Sequence, residues 1–138
     1  MTDTGTEFSL VTRRATVSHL KSFTPLTALI SANSIYPENT PANAAWPFIR
    51  YSSYSAPWTA QCYSGSTMFV DIHVFSNGPG TDNVHNAAAQ VLEAMKTLDF
   101  AGMAECEWQG TIGPLNDAPS GETYKWHSIV QFRISAAR

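Results

Sequence analysis

Between Thr67 and Ser76 the chain reads TMFVDIHVFS, and its side chains separate by parity. Met68, Val70, Ile72 and Val74 fall on one side, Phe69, Asp71, His73 and Phe75 on the other. Successive side chains of a strand point to opposite faces, so this pattern predicts a strand with one uniformly apolar face. A single strand cannot bury that face alone, and the rest of the chain must supply both neighbouring strands and a covering layer.

Two later segments carry the same alternation. In Ala104–Ile112, Ala104, Cys106, Trp108, Gly110 and Ile112 alternate with Glu105, Glu107, Gln109 and Thr111. In Thr123–Ser135, Tyr124, Trp126, Val130, Phe132 and Ile134 alternate with Lys125, His127, Gln131 and Arg133. Gly113–Gly121 (GPLNDAPSG) is expected to join them as a long hairpin loop. Phe48–Tyr51 reads as a further strand with Pro47 at its start, where a missing N–H does least harm. Met68 or Phe69, Trp108, Trp126 and Phe132 are the aromatic and large residues expected in the core.

The covering layer has a clear source. From Asp82 to Leu98, Val84, Ala88, Val91, Met95 and Leu98 recur at spacings of four and three, with Ala87 and Leu92 widening the stripe. Thr81 or Asp82 can cap this helix after the break Asn77-Gly78-Pro79-Gly80. An earlier helix is predicted over Glu7–Ser22, with Phe8, Val11 and Ala15 on its face and Leu10, Val17 and Leu20 alongside. Thr4 and Glu7 stand in capping-box spacing before it, behind a flexible tail at residues 1–6. Thr24-Pro25 opens a short helix to about Ser31, with Thr24 as cap and Leu26, Leu29 and Ile30 inward. Prolines at 37, 41 and 47 exclude regular helix between Ser34 and Pro47. Ser52–Ser66 lacks periodicity and reads as a long loop bearing Tyr54, Trp58 and Tyr63. The element order is thus α-α-β-β-α-β-β. It describes one α+β domain over residues 1–138, about four mainly antiparallel strands packed by one long helix and preceded by N-terminal helices.

Composition narrows the function. Only 14% of the 138 residues are charged and the net charge is −3, against about a quarter charged in average soluble proteins. With no basic run, sequence-specific nucleic-acid binding is disfavoured. No apolar run approaches the ~20 residues of a membrane span, and MTDTGTEF lacks the basic flank and apolar core of a secretory signal. Cys62 and Cys106 form no CxxC pair, and reduced thiols are expected.

The polar residues assemble no reaction centre by spacing. Asp71 and His73 share a strand face, but no third metal ligand stands at a recognisable distance. His85 has no His or Glu four residues on. Cys106, beside Trp108 on an apolar side, is expected to be buried and inert. Cys62 lies in a loop with no His near it, and no GxSxG elbow is present. Glu105 and Glu107 lie about 7 Å apart on one face, a solubilising pair more naturally than an acid/base pair. Asn77–Thr81 lacks the lysine of a phosphate loop. No catalytic residue, metal or cofactor is assigned. The rival reading is a small-molecule-binding or enzymatic domain with a pocket between the helix Asp82–Leu98 and the sheet, where Asp71, His73 and His127 would act.

The order and spacing of several strings resemble the tail-completion (tail-terminator) protein family of long-tailed bacteriophages and gene transfer agents. The strings are Ile35-Tyr36-Pro37 after two N-terminal helices, Trp46-Pro47-Phe48-Ile49-Arg50-Tyr51, and Phe69–Ser76 leading into the helix Asn83–Leu98. Ile129-Val130-Gln131-Phe132-Arg133-Ile134 closes the series. Together they run from about Phe8 to Arg138. The resemblance implies a structural protein without catalytic residues or cofactor. Such proteins form a homo-oligomeric ring, typically of six subunits. The ring caps the tube of major tail protein, ends its elongation and offers a surface to the head-tail connector or neck protein. It implies assembly in the host cytoplasm and a final place in the virion or virus-like particle, at the top of the tail. Another neck protein, such as a head-completion protein, is the nearest alternative.

Interfaces are depleted in charge and rich in aromatic rings, as this chain is. Three contact segments are expected. One is Tyr54–Tyr63, with Trp58 as buried anchor between Tyr54 and Tyr63. The second is the hairpin loop with Leu115 and Asn116. The third is the outward face of the first helix with Arg13 and Arg14, a helix more basic than the family resemblance implies. An exposed edge strand is a further docking element.

Overall fold

The computed structural model describes residues 5–60, 63–98, 105–116 and 125–137, with side chains at 10–56, 67–98, 106–116 and 125–135. The elements are α1 (Gly5–Ser22), α2 (Thr24–Thr27), a 3-10 turn (Ala32–Ser34), β1 (Ile35–Tyr36), β2 (Phe48–Ala60), β3 (Tyr63–Asn77), α3 (Asp82–Thr97), β4 (Glu105–Asn116) and β5 (Lys125–Ala137). The strands form one sheet in the order β1-β2-β3-β5-β4. β1 lies parallel to β2, and every other pairing is antiparallel. This is the expected α+β architecture with one strand more than anticipated.

β3 is the spine of the sheet, and its parity works as the sequence demands. Met68, Val70, Ile72 and Val74 are fully buried, joined by Val130, Phe132 and Ile134 of β5 and Ile49 and Tyr51 of β2. α3 lays Val84, Ala87, Val91, Ala94 and Met95 over them. Asp82 in its first turn and Lys96 in its last complement the helix dipole. Thr81 holds the cap position through its backbone alone, with its carbonyl accepting from His85 N at 3.0 Å. α1 packs beside α3 on the same face. His19 Nε2 joins the two helices, donating to the Ala94 carbonyl at 2.8 Å with the Thr97 hydroxyl 2.9 Å away. The described helices all lie on one side of the sheet, and among the described residues no helix or strand covers the opposite, bare face.

Several expectations change. The stretch 52–66 is no loop: β2 and β3 form a long hairpin in register from Phe48↔Phe75 to Ala60↔Tyr63. Small polar residues on both parities hide a strand whose status comes from cross-strand pairing, not from its own pattern. β4 runs on to Asn116, into the expected hairpin loop, of which residues 117–121 lie outside the described residues. Its alternation breaks after Trp108, where the register passes from Trp108↔Phe132 to Gly110↔Gln131. This bulge leaves Gln109 unpaired and moves Ile112 across to Ile129 on the bare face. Trp108 keeps the parity of Phe132, but β4 is the sheet's edge and the ring stays 50% exposed, not in the core.

Around α1 the expected stripe is rotated. Thr12, Thr16, Val17 and Leu20 are buried, whereas Leu10 and Val11 face outward. α2 stops at Thr27, with Phe23 rather than Thr24 at its cap; Leu26 and Ile30 are buried and Leu29 is exposed. Between 34 and 47 no α-helix forms, as the prolines require, but Ile35 anchors the two-residue β1 with its side chain buried. Cys106 packs against the core, and burial pushes its thiol up to about 11, in keeping with an inert cysteine. Cys62 lies outside the described residues.

Candidate interaction surfaces

The bare face is a grid set by register. Its rows run Phe48, Phe75, His127 and Leu115; Arg50, His73, Ile129 and Ile112; Ser52, Asp71, Gln131 and Gly110; and Tyr54, Phe69, Arg133 and Glu107. In the first row Phe48 stacks on Phe75 at 4.5 Å and Phe75 on His127 at 4.2 Å, between ring centroids. Trp46 meets Phe48 edge-on at 4.9 Å, and Lys125 Nζ lies 5.9 Å from the Trp46 ring centre. The guanidinium of Arg50 lies 5.8 Å from the Phe75 ring, within cation–π range. In the last row Tyr54 stacks on Phe69 at 5.0 Å, and Arg133 pairs with Glu107.

The polar groups between these rows also bind one another. Gln131 Nε2 donates to Asp71 Oδ1 at 3.3 Å. Ser52 Oγ is 3.0 Å from His73 Nε2, and His73 Nδ1 is 2.9 Å from His127 Nε2. A serine beside a histidine invites a nucleophile reading, but the electrostatics oppose it. Burial first, then the charges of Arg50 and His127, push His73 down to about 4. A catalytic base of this kind needs a partner that stabilises its protonated form, and here both neighbours oppose it. The rival pocket fails on geometry as well. Asp71, His73 and His127 lie on the face away from α3, because parity puts Val70, Ile72 and Val74 beneath the helix. Among the described residues no three of His, Cys, Asp or Glu cluster as metal ligands.

The expected contact residues are placed as follows. Tyr54 is 65% exposed on the bare face. Leu115 stands exposed in the first row beside His127, and Asn116 follows it, exposed, opposite Trp126. Arg14 is exposed on α1, whereas Arg13 pairs with Glu38 beyond the helix. Trp58 and Tyr63 lie in the β2–β3 hairpin, opposite Gly65 and Ala60; their side chains fall outside the described set. Tyr54 and Leu115 thus share a face, while the arginines lie on the helical side. Sequence reasoning missed Ile112, whose reversal rests on the bulge, and Arg50 with the Phe48–Phe75–His127 ladder, which needs three strands in register. Gly110 within a strand was the available signal for the bulge.

An α+β sheet with apolar side chains standing exposed on both of its sides has the make-up of a structural protein with surfaces suited to being covered. The chain belongs to the family described as tail completion protein gp17, whose model matches residues 14–135. Its role is therefore structural, in tail assembly. No curated protein sequence matches it. Among solved structures it is similar to a chain of the virion of a native gene transfer agent (GTA) particle. That match has a TM-score of 0.73 and 17% identity, covering 91% of this chain and 94% of the other. It is also similar to the gp17 protein of bacteriophage SPP1, with a TM-score of 0.62 and 21% identity, covering 96% and 95%. At these identities the likeness is one of fold. No helix among the described residues is long and apolar enough to cross a membrane.

Proposed function

We propose that the chain is a ring-forming tail terminator. Copies assemble on the end of the tail tube, stop its growth and present a surface to the head connector, at the neck of a phage or gene-transfer-agent particle. The protein does no chemistry in this role and needs no cofactor. One observation carries the reading. Large apolar side chains stand exposed on opposite sides of one sheet: Leu10, Val11 and Leu29 on the helical side, and Tyr54, Ile112 and Leu115 on the bare face. Two unlike patches on opposite sides suit a subunit that is covered from both sides, by neighbouring copies and by the tail proteins that a ring would join. The low charge of the chain agrees with a surface that becomes covered.

Tyr54, Trp58, Tyr63, Arg13, Arg14, Leu115 and Asn116 are the proposed contact residues, with Trp58 as the anchor. The test is made in particles. Without this chain, tails should be overlong or fail to join heads, and adding back the wild type should restore both. Trp58→Ala should not restore them. Tails of normal length that join heads in the absence of the chain rule the reading out. Restoration by Trp58→Ala removes only Trp58 from it.

A further inference from the structure

We propose that a second copy of this chain lays the start of its β4 along the free edge of β2, in the slot where β1 stops. The proposal rests on the ring reading above and specifies the contact that would join one subunit to the next.

The slot follows from the topology. β1 covers only Ile49 and Arg50, while β2 continues to Ala60. Among the described residues no strand pairs with that side of β2 beyond Arg50. A groove of about 380 Å³ opens there, walled by Arg13 of α1 and Glu38 and floored by Tyr51, Ser52 and Ser53. The edge is competent to pair. Residues of a strand direct their backbone N–H and C=O alternately to either side, and proline is tolerated only where its nitrogen faces an open edge. Pro57 lies within β2 opposite Ser66 without a break in register, so its nitrogen faces outward. By the same parity Tyr51, Ser53 and Ser55 direct their N–H groups outward. From 51 to 60 the strand reads YSSYSAPWTA, with no charge to repel an incoming strand. Protected edges carry such charges, and this one has Pro57 alone.

The occupant is identified by direction, regularity and charge. β4 is the opposite edge of the sheet. It runs opposite to β5, β5 opposite to β3, and β3 opposite to β2, so β4 and β2 point in opposite directions. Copies turned about an axis along the strands therefore bring β4 of one antiparallel to the β2 edge of the next. Using two different edges makes the contact head-to-tail and able to close. β4 pairs regularly with β5 from Glu105 to Trp108 and bulges beyond, so its first four residues are the straight template. On the bare face they carry Glu107, which pairs with Arg133 of its own subunit, toward a slot that holds Arg50 on the same face. Arg50 Nε is buried there with no hydrogen-bond partner. Joining two β2 edges instead would be a two-fold contact that closes a pair rather than a ring.

Hydrogen exchange of the full chain, free and assembled on purified tail tubes, tests this directly. Peptides covering 51–56 and 105–108 should exchange at least tenfold more slowly in the ring than in the free chain. Ser53→Pro removes one outward donor and should abolish assembly, while the melting temperature of the free chain stays within a few degrees. Should that variant unfold, the exchange measurement on wild type still decides. Rings in which either peptide exchanges as in the free chain overturn the strand contact and leave the ring reading standing. Failure to form any ring on tubes overturns both.

Discussion

His73 Nδ1 lies 2.9 Å from His127 Nε2 across the β3–β5 pair, on the bare face of the sheet. One of the two nitrogens donates and the other accepts, so a single proton serves both. Burial disfavours the imidazolium of His73 most, and the charge of Arg50, opposite it on β2, adds to that.

This pair makes stability depend on pH. His73 has a pKa of about 4 in the folded chain, against 6.5 for the free side chain. Between those values the unfolded chain binds more protons, so folding loses stability as the pH falls. The contribution is complete above about pH 6.5 and is lost progressively toward pH 4, amounting to ~2 kcal/mol with solvent screening allowed for. Urea unfolding at pH 7 and at pH 4.5 measures it. His73→Gln should show a drop between the two smaller than wild type by about that amount. An equal drop in both proteins would assign the loss to other groups.

Two glycines of β4 separate backbone strain from collision. Gly110 and Gly113 have φ of +140° and +105°, a region L residues rarely adopt. At Gly110 an added Cβ meets nothing within 4 Å; at Gly113 it lies 2.6 Å from the His127 carbonyl oxygen and 3.1 Å from Ser128 Cα. Gly110→Ala should cost about 1 kcal/mol, from conformation alone. Gly113→Ala must also displace the backbone of β5, and its loss should be about 3 kcal/mol or more. Equal losses in denaturant melts would show that the sheet yields at Gly113.

How far the fold was legible depended on contrast between neighbours in sequence. β3 was visible because Val70, Ile72 and Val74 alternate with Asp71 and His73. α3 was visible because Val84, Val91 and Met95 hold one face. Ser52, Ser53 and Ser55 offer no such contrast, and their strand exists because β3 lies beside them. β1 has two residues, too few for any period, and only its contact with Ile49 makes it a strand. The apolar face of the sheet was legible, but the grid of Arg50, His73, His127 and Ile112 on the other depends on register and on one bulge, neither of which is local.

The rotation of α1 has an energetic consequence. Thr12 and Thr16 are fully buried, and neither hydroxyl finds a hydrogen-bond partner. An unpaired buried hydroxyl carries a desolvation penalty of about 1–3 kcal/mol. Valine has nearly the same shape and the same β-branching, so helix propensity is nearly unchanged. Thr12→Val and Thr16→Val should each raise stability by about 1 kcal/mol, seen as an increase of several degrees in Tm. A decrease would mean that these hydroxyls bond to the backbone of their own helix.

Exposed apolar residues should separate folding from assembly. Val11 is 54% exposed on α1, and Tyr54 stands exposed on the bare face, its ring stacked on Phe69. Neither lies in the core cluster. Val11→Glu and Tyr54→Glu should therefore change the stability of the free chain by ~0.5 kcal/mol at most, the usual range for surface positions. If both sides of the sheet become covered when the chain assembles, a carboxylate placed in either patch is buried without a partner, and each variant alone should lose assembly on tail tubes. Mixing the two should not rescue it, because every subunit then still carries one charged patch. Electron microscopy of tube ends and sedimentation of the mixtures give the result. Assembly by both single variants at wild-type levels would remove these two patches from the ring contact.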